Sequence, residues 1–273
     1  MKKNISLSYL CISFVLLVLA SIGIIQGQAY QSLVLLIIVS LLWITSFWLY
    51  RRHHQWSYFP ILLFVISWGI FPLMKYIAKF VLPWSADHFL LKIDQSIWAG
   101  KTLSAYFHYE DHLILSDIIS ACYFFFYFLV LGSVIYFAVY RKAVKGQVFF
   151  NAILFLYSVG FIGYILFPAA GPAFTILPQH QGGGVLTQFV TQNVNQGVTG
   201  MDVFPSLHTA ISIFIVGYFF QLGHKKLASL FTPIVLGTIS ATIFLRYHYG
   251  IDVIVGILLA LTTLTLTKKW LSQ

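Results

Sequence analysis

The sequence is short of charge. Only 8% of its 273 residues are Asp, Glu, Lys or Arg, where a soluble domain carries about a quarter. Acids are scarcest, seven against sixteen Lys and Arg. So few ions cannot clothe a water-facing surface, which excludes a soluble globular protein. A hydrophobic content of 59% equally excludes a disordered chain. Cysteine is limited to Cys11 and Cys122, both inside apolar runs. That excludes a disulfide scaffold, and each reads as a small buried hydrophobe. Short alternating strands with regular turns are missing too, which argues against an outer-membrane barrel. No internal repeat and no linker to a second domain is visible.

Long apolar runs are what the chain does have. They lie at about 7–25, 33–50, 58–82, 113–140, 147–167, 205–222, 227–246 and 248–268. Each matches or approaches the roughly 20 helical residues that cross a hydrocarbon core. The expected fold is therefore all-α integral membrane, with about eight transmembrane helices. Aromatics at 18% suit rings at the lipid–water boundary.

The charges sort by side. With eight spans, Lys2, Lys3, Arg51, Arg52, Arg141, Lys142, Lys145, Lys225, Lys226, Lys268 and Lys269 share one side without an acid. Lys75, Lys79, Lys92, Lys101 and Arg246 fall on the other, with all the acids: Asp87, Asp94, Glu110, Asp111, Asp117, Asp202 and Asp252. The positive-inside rule then makes both termini cytoplasmic. The net charge of +9 is thus a topology signal, and nucleic acid is not an expected partner. The first run is read as an uncleaved span. Its flanking Lys2, Lys3 and Gly27-Gln28-Ala29 also fit a cleavable signal peptide, which would leave the later topology unchanged.

Two outer segments are long. Residues 83–112 hold Pro83, Trp84 and Trp98 among several charges and suit an amphipathic element along the interface. Residues 168–204 are rich in Gly and Gln, including Gly182-Gly183-Gly184, Gln179 and Gln181. A loop of that length is expected to be functional or mobile.

Two of the nine histidines stand out. His208 lies in Phe204-Pro205-Ser206-Leu207-His208-Thr209, at the outer start of the sixth span. His248 lies in Arg246-Tyr247-His248-Tyr249-Gly250-Ile251-Asp252, at the outer start of the eighth. The topology, assigned from charges alone, brings both to one side and a similar depth. His248 and Asp252 are spaced i, i+4, which on a helix sets them on one face. An Asp there fixes the imidazole tautomer and leaves the other nitrogen free as a nucleophile. The same pair also suits a plain capping or solvating role at a helix end.

Pro205-Ser206-Leu207-His208 and His248-Tyr249-Gly250-Ile251-Asp252-Val253, followed by Gly256, resemble the second and third signatures of the type-2 phosphatidic acid phosphatase superfamily. The Ser-Leu-His and His-Tyr forms, with Asp202 six residues before His208, look most like the branch of inositol phosphorylceramide synthases and sphingomyelin synthases. The resemblance covers about 90–268. It implies a six-helix catalytic domain at 58–273 preceded by two N-terminal transmembrane helices at 1–57. It also implies catalytic roles: His248 attacks phosphorus to form a phosphohistidine, Asp252 orients His248, and His208 protonates the leaving oxygen and then activates the acceptor. No cofactor or metal is needed. The backbone near Ser206 would bind phosphate oxygens. A zinc site from His208, His248 and Asp252 has allowable ligand types but no compact His/Cys cluster behind it.

The pattern departs from the family where phosphate needs charge. The first signature, a Lys six residues before Arg-Pro, is missing from Tyr164–Pro172, and Thr242 stands where an Arg is usual. Arg246 and Lys75 are the expected substitutes, with Lys79 a snorkelling residue. Asp202 and Ser206 complete the expected substrate contacts. Asp117 is read as a helix cap, and Asp94 resembles an Asp near the domain start in the synthase branch. His53, His54 and His224 fall on the cytoplasmic side; His88, His108, His112 and His180 are outer.

The implied function is an integral membrane lipid phosphotransferase or phosphatase acting on a phospholipid or other lipid phosphate at the extracytoplasmic face. Transfer of a phospho-head group to a lipid alcohol such as ceramide or diacylglycerol is favoured. Hydrolysis of a lipid phosphate or polyprenyl diphosphate is the alternative, and a lipid transporter is a third reading. The lack of a retrieval signal suits a bacterial inner membrane with a periplasmic site, and a Golgi-luminal site would have the same geometry.

Overall fold

A computed structural model describes residues 2–53, 58–107, 112–176 and 182–272. His54, His108, Glu110, Asp111, Gln179, His180 and Gln181 lie outside the described residues. Among the described residues there are eleven helices and no strand: α1 (Lys2–Gln26), α2 (Leu33–His53), α3 (Phe59–Phe80), α4 (Asp87–Ile97), α5 (Leu113–Val139), α6 (Val144–Leu166), α7 (Pro172–Thr175), α8 (Val185–Gly197), α9 (Leu207–Gln221), α10 (Lys225–Phe244) and α11 (Gly250–Leu271). Seven of these, α1, α2, α3, α5, α6, α10 and α11, are long and apolar enough to cross a membrane. The eighth expected span, α9, has 15 residues, about 22 Å of helix, and is shorter than a bilayer core.

Polar cross-links fix how α9 runs. At its start, the Ser206 amide donates to the carbonyl of Asp252 (3.2 Å). At its end, the Gln221 amide donates to the Leu264 carbonyl (2.8 Å) and the Thr267 hydroxyl donates to the Gln221 side chain (2.9 Å). The helix therefore runs parallel to α11. It is antiparallel to α6, since Leu207 abuts Gly160 and the Tyr218 hydroxyl donates to the Lys145 carbonyl (2.7 Å). Most of its side chains are buried, Thr209, Ala210, Ser212 and Phe214 completely, as expected of a helix apolar all round. α9 packs against α5, α6, α10 and α11, and the site lies at its N-terminal end.

Aromatic side chains pack around α9. Phe137 of α5 stacks on Phe149 of α6 with ring centroids 4.1 Å apart, and Phe149 reaches Phe214 at 5.9 Å. Outward-facing positions are the opposite. Val34, Ile37 and Leu41 of α2, and Ile114, Leu131 and Val139 of α5, are large, apolar and exposed, as lipid-facing side chains are. Hydroxyls inside the spans close on their own helix. Ser158 donates to Leu154 (2.7 Å) and Thr263 to Leu259 (2.7 Å), which satisfies groups that lipid cannot.

Basic residues without acids collect at one end. Arg141, just past α5, bonds the Tyr58 hydroxyl beside α3, and Tyr136 pairs with His224 at the start of α10 (3.3 Å). Lys268 and Lys269 lie in the last turn of α11, at that same end. α1 packs along α3, with the Tyr9 hydroxyl bonded to Ser67 (2.7 Å).

A Cβ at Gly23 would lie 2.3 Å from the carbonyl oxygen of Tyr76, whereas nothing lies within 4 Å of one at Gly132. Gly23→Leu is expected to cost about 1–3 kcal/mol through overpacking, read as a lower melting temperature in detergent. Gly132→Leu should leave it unchanged. Equal behaviour of the two variants would contradict the α1–α3 contact.

Candidate active site

The non-basic end of the bundle is tied together by carboxylates. α4 is short and amphipathic and presents Asp87 and Asp94 inward, both buried. Asp87 accepts four hydrogen bonds: from the Ser85 hydroxyl (2.7 Å), the Ala170 amide (2.9 Å), the Gly171 amide (2.9 Å) and the Tyr249 hydroxyl (2.9 Å). It joins α4 to the loop after α6 and to the start of α11. Gly171 fits that loop because its φ is +94° and a Cβ would meet the carbonyl of Tyr247 at 2.3 Å. Asp94 accepts from the Ile251 amide (2.9 Å) and the Leu103 amide (3.0 Å). A carboxylate at the first turn of α11 also opposes the positive end of that helix.

The described parts of the 168–204 segment, 168–176 and 182–204, contain α7 and α8. Asp117 caps a helix, but that helix is α8, not its own: it accepts from the Thr187 amide (2.8 Å) and hydroxyl (3.0 Å). Ser116 accepts from the Gly184 amide (2.9 Å). The pattern of Leu186, Phe189, Val190 and Val194 is a helical apolar stripe legible in the sequence.

Ser206 is the N-cap of α9. Its hydroxyl accepts from the Thr209 amide (3.3 Å) and donates to the Thr209 hydroxyl (3.0 Å), a role its place before an apolar run could have suggested. This sets His208 in the first turn, where its ring stacks on Tyr123 (5.2 Å) and meets Phe126 (4.5 Å). Those rings lie ten and thirteen residues past the start of α5, so His208 is recessed about 15–20 Å along that helix.

His248 is not on a helix. α11 has Tyr249 as N-cap and Asp252 as its third residue, so the expected helical i, i+4 face gives way to a turn followed by a capping box. Asp252 Oδ2 accepts from the Tyr249 amide (2.8 Å) and lies 3.5 Å from His248 Nδ1. Both residues are buried. Neither His248 Nδ1 nor Asp252 Oδ1 has a hydrogen-bond partner among the described residues, so the pair face each other with spare capacity. The other nitrogen, His248 Nε2, is 3.4 Å from the Ser206 hydroxyl. The two imidazole rings, from stretches of chain far apart, meet edge to face with centroids 5.8 Å apart.

They share a cavity of about 450 Å³. Its wall includes Tyr123 and Tyr127 of α5, Phe174 of α7, Val190 of α8, and Asp202, His208, Tyr247 and His248. Asp202 is half-buried and accepts from the Thr199 hydroxyl (2.5 Å). Burial pushes its carboxyl above the usual range, and the Thr199 hydrogen bond opposes this. Burial likewise pushes the Tyr247 hydroxyl up to about 12, so it stays protonated at neutral pH.

The expected cations do not reach this wall. Lys75 is exposed on α3, with its ammonium 5.1 Å from the Tyr76 ring. Arg246 is 7% exposed, has a φ of +62°, and offers its carbonyl to the Ala173 amide (2.8 Å). Neither residue is among those that line the cavity, and Lys75 lies on an exposed face of α3. Lys79 and His88 are also exposed. Among the described residues no group of three His, Cys, Asp or Glu side chains is placed to hold a metal ion.

The structure is an apolar helical bundle with two histidines and an aspartate brought together at one recessed end. The model of the PAP2 superfamily matches residues 88–266, and the chain belongs to that superfamily. The match begins in α4 and ends in α11, so α1, α2 and α3 lie outside it. No curated protein and no solved structure gave a significant match.

Asp87→Ala would strand two buried amides and a tyrosine hydroxyl, at about 1–3 kcal/mol for each unsatisfied group. The expected result is a clearly lower melting temperature, with Asp87→Asn intermediate. An unchanged melting temperature for Asp87→Ala would refute the clasp.

Proposed function

We propose that the protein is a lipid phosphotransferase or phosphatase working through a phosphohistidine. The observation that carries this reading is the meeting of His208 and His248 in one cavity, with Asp252 behind His248. Asp252 holds the proton on Nδ1, so the Nε2 lone pair is the nucleophile. Nε2 attacks phosphorus, and the bond from phosphorus to the leaving alkoxide breaks. His208 gives its proton to that oxygen. His208, now neutral, takes the proton of an incoming hydroxyl or water, whose oxygen attacks phosphorus as the P–N bond breaks. This is covalent catalysis with acid–base exchange on a single imidazole. The amides in the first turn of α9 are suited to phosphate oxygens, as helix N-termini are.

Water and a lipid hydroxyl can both complete the cycle. The greasy cavity wall favours the lipid hydroxyl, and with it head-group transfer to an acceptor such as ceramide or diacylglycerol, as in the synthase branch that the motifs resemble. With the basic end in the cytoplasm, the cavity opens on the extracytoplasmic side; in a bacterial inner membrane that is the periplasm.

Purified protein incubated with labelled phospholipid, with and without ceramide or diacylglycerol, tests this. A new phospholipid identifies a transferase, and free phosphate or a water-soluble phosphoester a hydrolase. Denatured wild-type protein should carry base-stable, acid-labile phosphate on His248. His248→Ala should lower turnover about 10³-fold or more, and His208→Ala about 10²–10⁴-fold. Lipid moved across liposomes with no phosphate chemistry, or full activity in His248→Ala, would overturn the reading.

A further inference from the structure

At the end of the bundle opposite the cavity, two turns bring basic residues together. Arg141, Lys142 and Lys145 lie in and just after the turn from α5 to α6, and Lys225 and Lys226 open α10. Tyrosines join the two turns. Tyr136 pairs with His224, the N-cap of α10 (3.3 Å), and its ring lies 5.1 Å from that of Tyr140. Near the end of α9, the Tyr218 hydroxyl donates to the Lys145 carbonyl (2.7 Å). Neither turn has a carboxylate to set against these charges, since no Asp or Glu occurs in residues 118–201 or 203–251.

Two of these cations are held in place. The Arg141 guanidinium stands 3.9 Å from the centre of the Tyr58 ring and bonds both the Tyr58 hydroxyl and the Ala138 carbonyl (3.0 Å). The Lys145 ammonium stands 3.5 Å from the centre of the Tyr140 ring. The turn is tight enough for this because residue 146 is glycine: a Cβ there would meet the Tyr140 carbonyl oxygen at 2.2 Å. The positive-inside rule accounts for the side on which the basic residues lie, not for their being held. Snorkelling lysines keep their rotamer freedom, whereas fixing long side chains beside others of like charge costs entropy and repulsion. A counter-ion offsets that cost. A guanidinium has five N–H donors, and Arg141 gives one to Ala138 and one to Tyr58, which leaves a hydrogen on each terminal nitrogen. Phosphate oxygens suit such donors, and lipid phosphates lie just past the ends of membrane spans.

We infer that the α5–α6 turn, with the start of α10, binds the phosphate of an anionic phospholipid in the leaflet at the basic end. Arg141 and Lys145 make the contact, and Lys142, Lys225 and Lys226 supply attraction. The site is separate from the histidine cavity and does not depend on the phosphoryl chemistry proposed there.

Native mass spectrometry of the full-length chain in detergent tests this by titrating dioleoyl phosphatidylglycerol and dioleoyl phosphatidylcholine, which differ only in headgroup. In about 0.15 M ammonium acetate, screening over about 8 Å leaves mainly direct contacts. The glycerol lipid should bind at least about fivefold tighter than the choline lipid. The double variant Arg141→Gln, Lys145→Gln should reduce that preference to about twofold or less. The double variant Lys268→Gln, Lys269→Gln removes the same charge from the same end of the molecule and should keep the preference. Melting temperatures show that each variant is folded. Equal affinity for the two lipids would overturn the site. So would a preference that survives Arg141→Gln, Lys145→Gln, as expected of lipid held in the histidine cavity. An equal loss in Lys268→Gln, Lys269→Gln would also overturn it, because attraction without a site would explain the binding. Displacement of the glycerol lipid by millimolar inorganic phosphate would overturn it in favour of a soluble anion.

Discussion

A carboxylate inside an apolar bundle must be given donors, and this constraint organises the whole non-basic end of the molecule. Ionised groups in a low-dielectric setting are costly unless hydrogen-bonded. Here each acid among the described residues meets that demand by holding a piece of backbone or a hydroxyl. Asp87 takes the loop after α6 and Tyr249, Asp94 takes the start of α11, Asp117 takes the start of α8, and Asp252 takes its own N-cap. The acids among the described residues are therefore structural ties first. The same ties position the cavity: α8 forms one wall, the α6–α7 loop another, and the turn before α11 delivers His248.

Chemistry follows from how that end is assembled. α9 is short, and its N-cap Ser206 sets His208 in the first turn, against Tyr123 and Phe126 in the cavity wall. α11 starts with a capping box, and the carboxylate that closes the box also faces His248. One residue thus secures a helix end and stands behind an imidazole. This dual use explains why the plain capping reading of the His–Asp pair and the catalytic reading are compatible rather than rivals.

Much of the fold was legible in sequence. Apolar run length marked the spans, and the separation of Lys and Arg from the acids marked which ends lie together, because both follow from the cost of charge in lipid. The two histidine motifs were legible as neighbours since the same count put them at one end of the bundle, where the structure has them. The clasp by Asp87 was not, because its partners Ala170, Gly171 and Tyr249 are distant in sequence and carry no side-chain signature for it. The ring wall was hidden among many aromatics that read equally well as lipid-facing. Arg246 and Lys75 were expected from their charge and their place at the outer end of the spans, and neither is among the residues that line the cavity. The helical spacing assumed for His248 and Asp252 gave the right neighbours through the wrong geometry, since a turn before an N-cap also brings such a pair together.

The central claim is that two imidazoles act on one phosphorus atom. A structure with orthovanadate, which takes the trigonal-bipyramidal geometry of phosphoryl transfer, addresses it directly. The expected density has vanadium bonded to His248 Nε2 and the opposite apical oxygen hydrogen-bonded to His208. Vanadium bound to neither ring, or His208 directed away from the apical oxygen, would contradict the account.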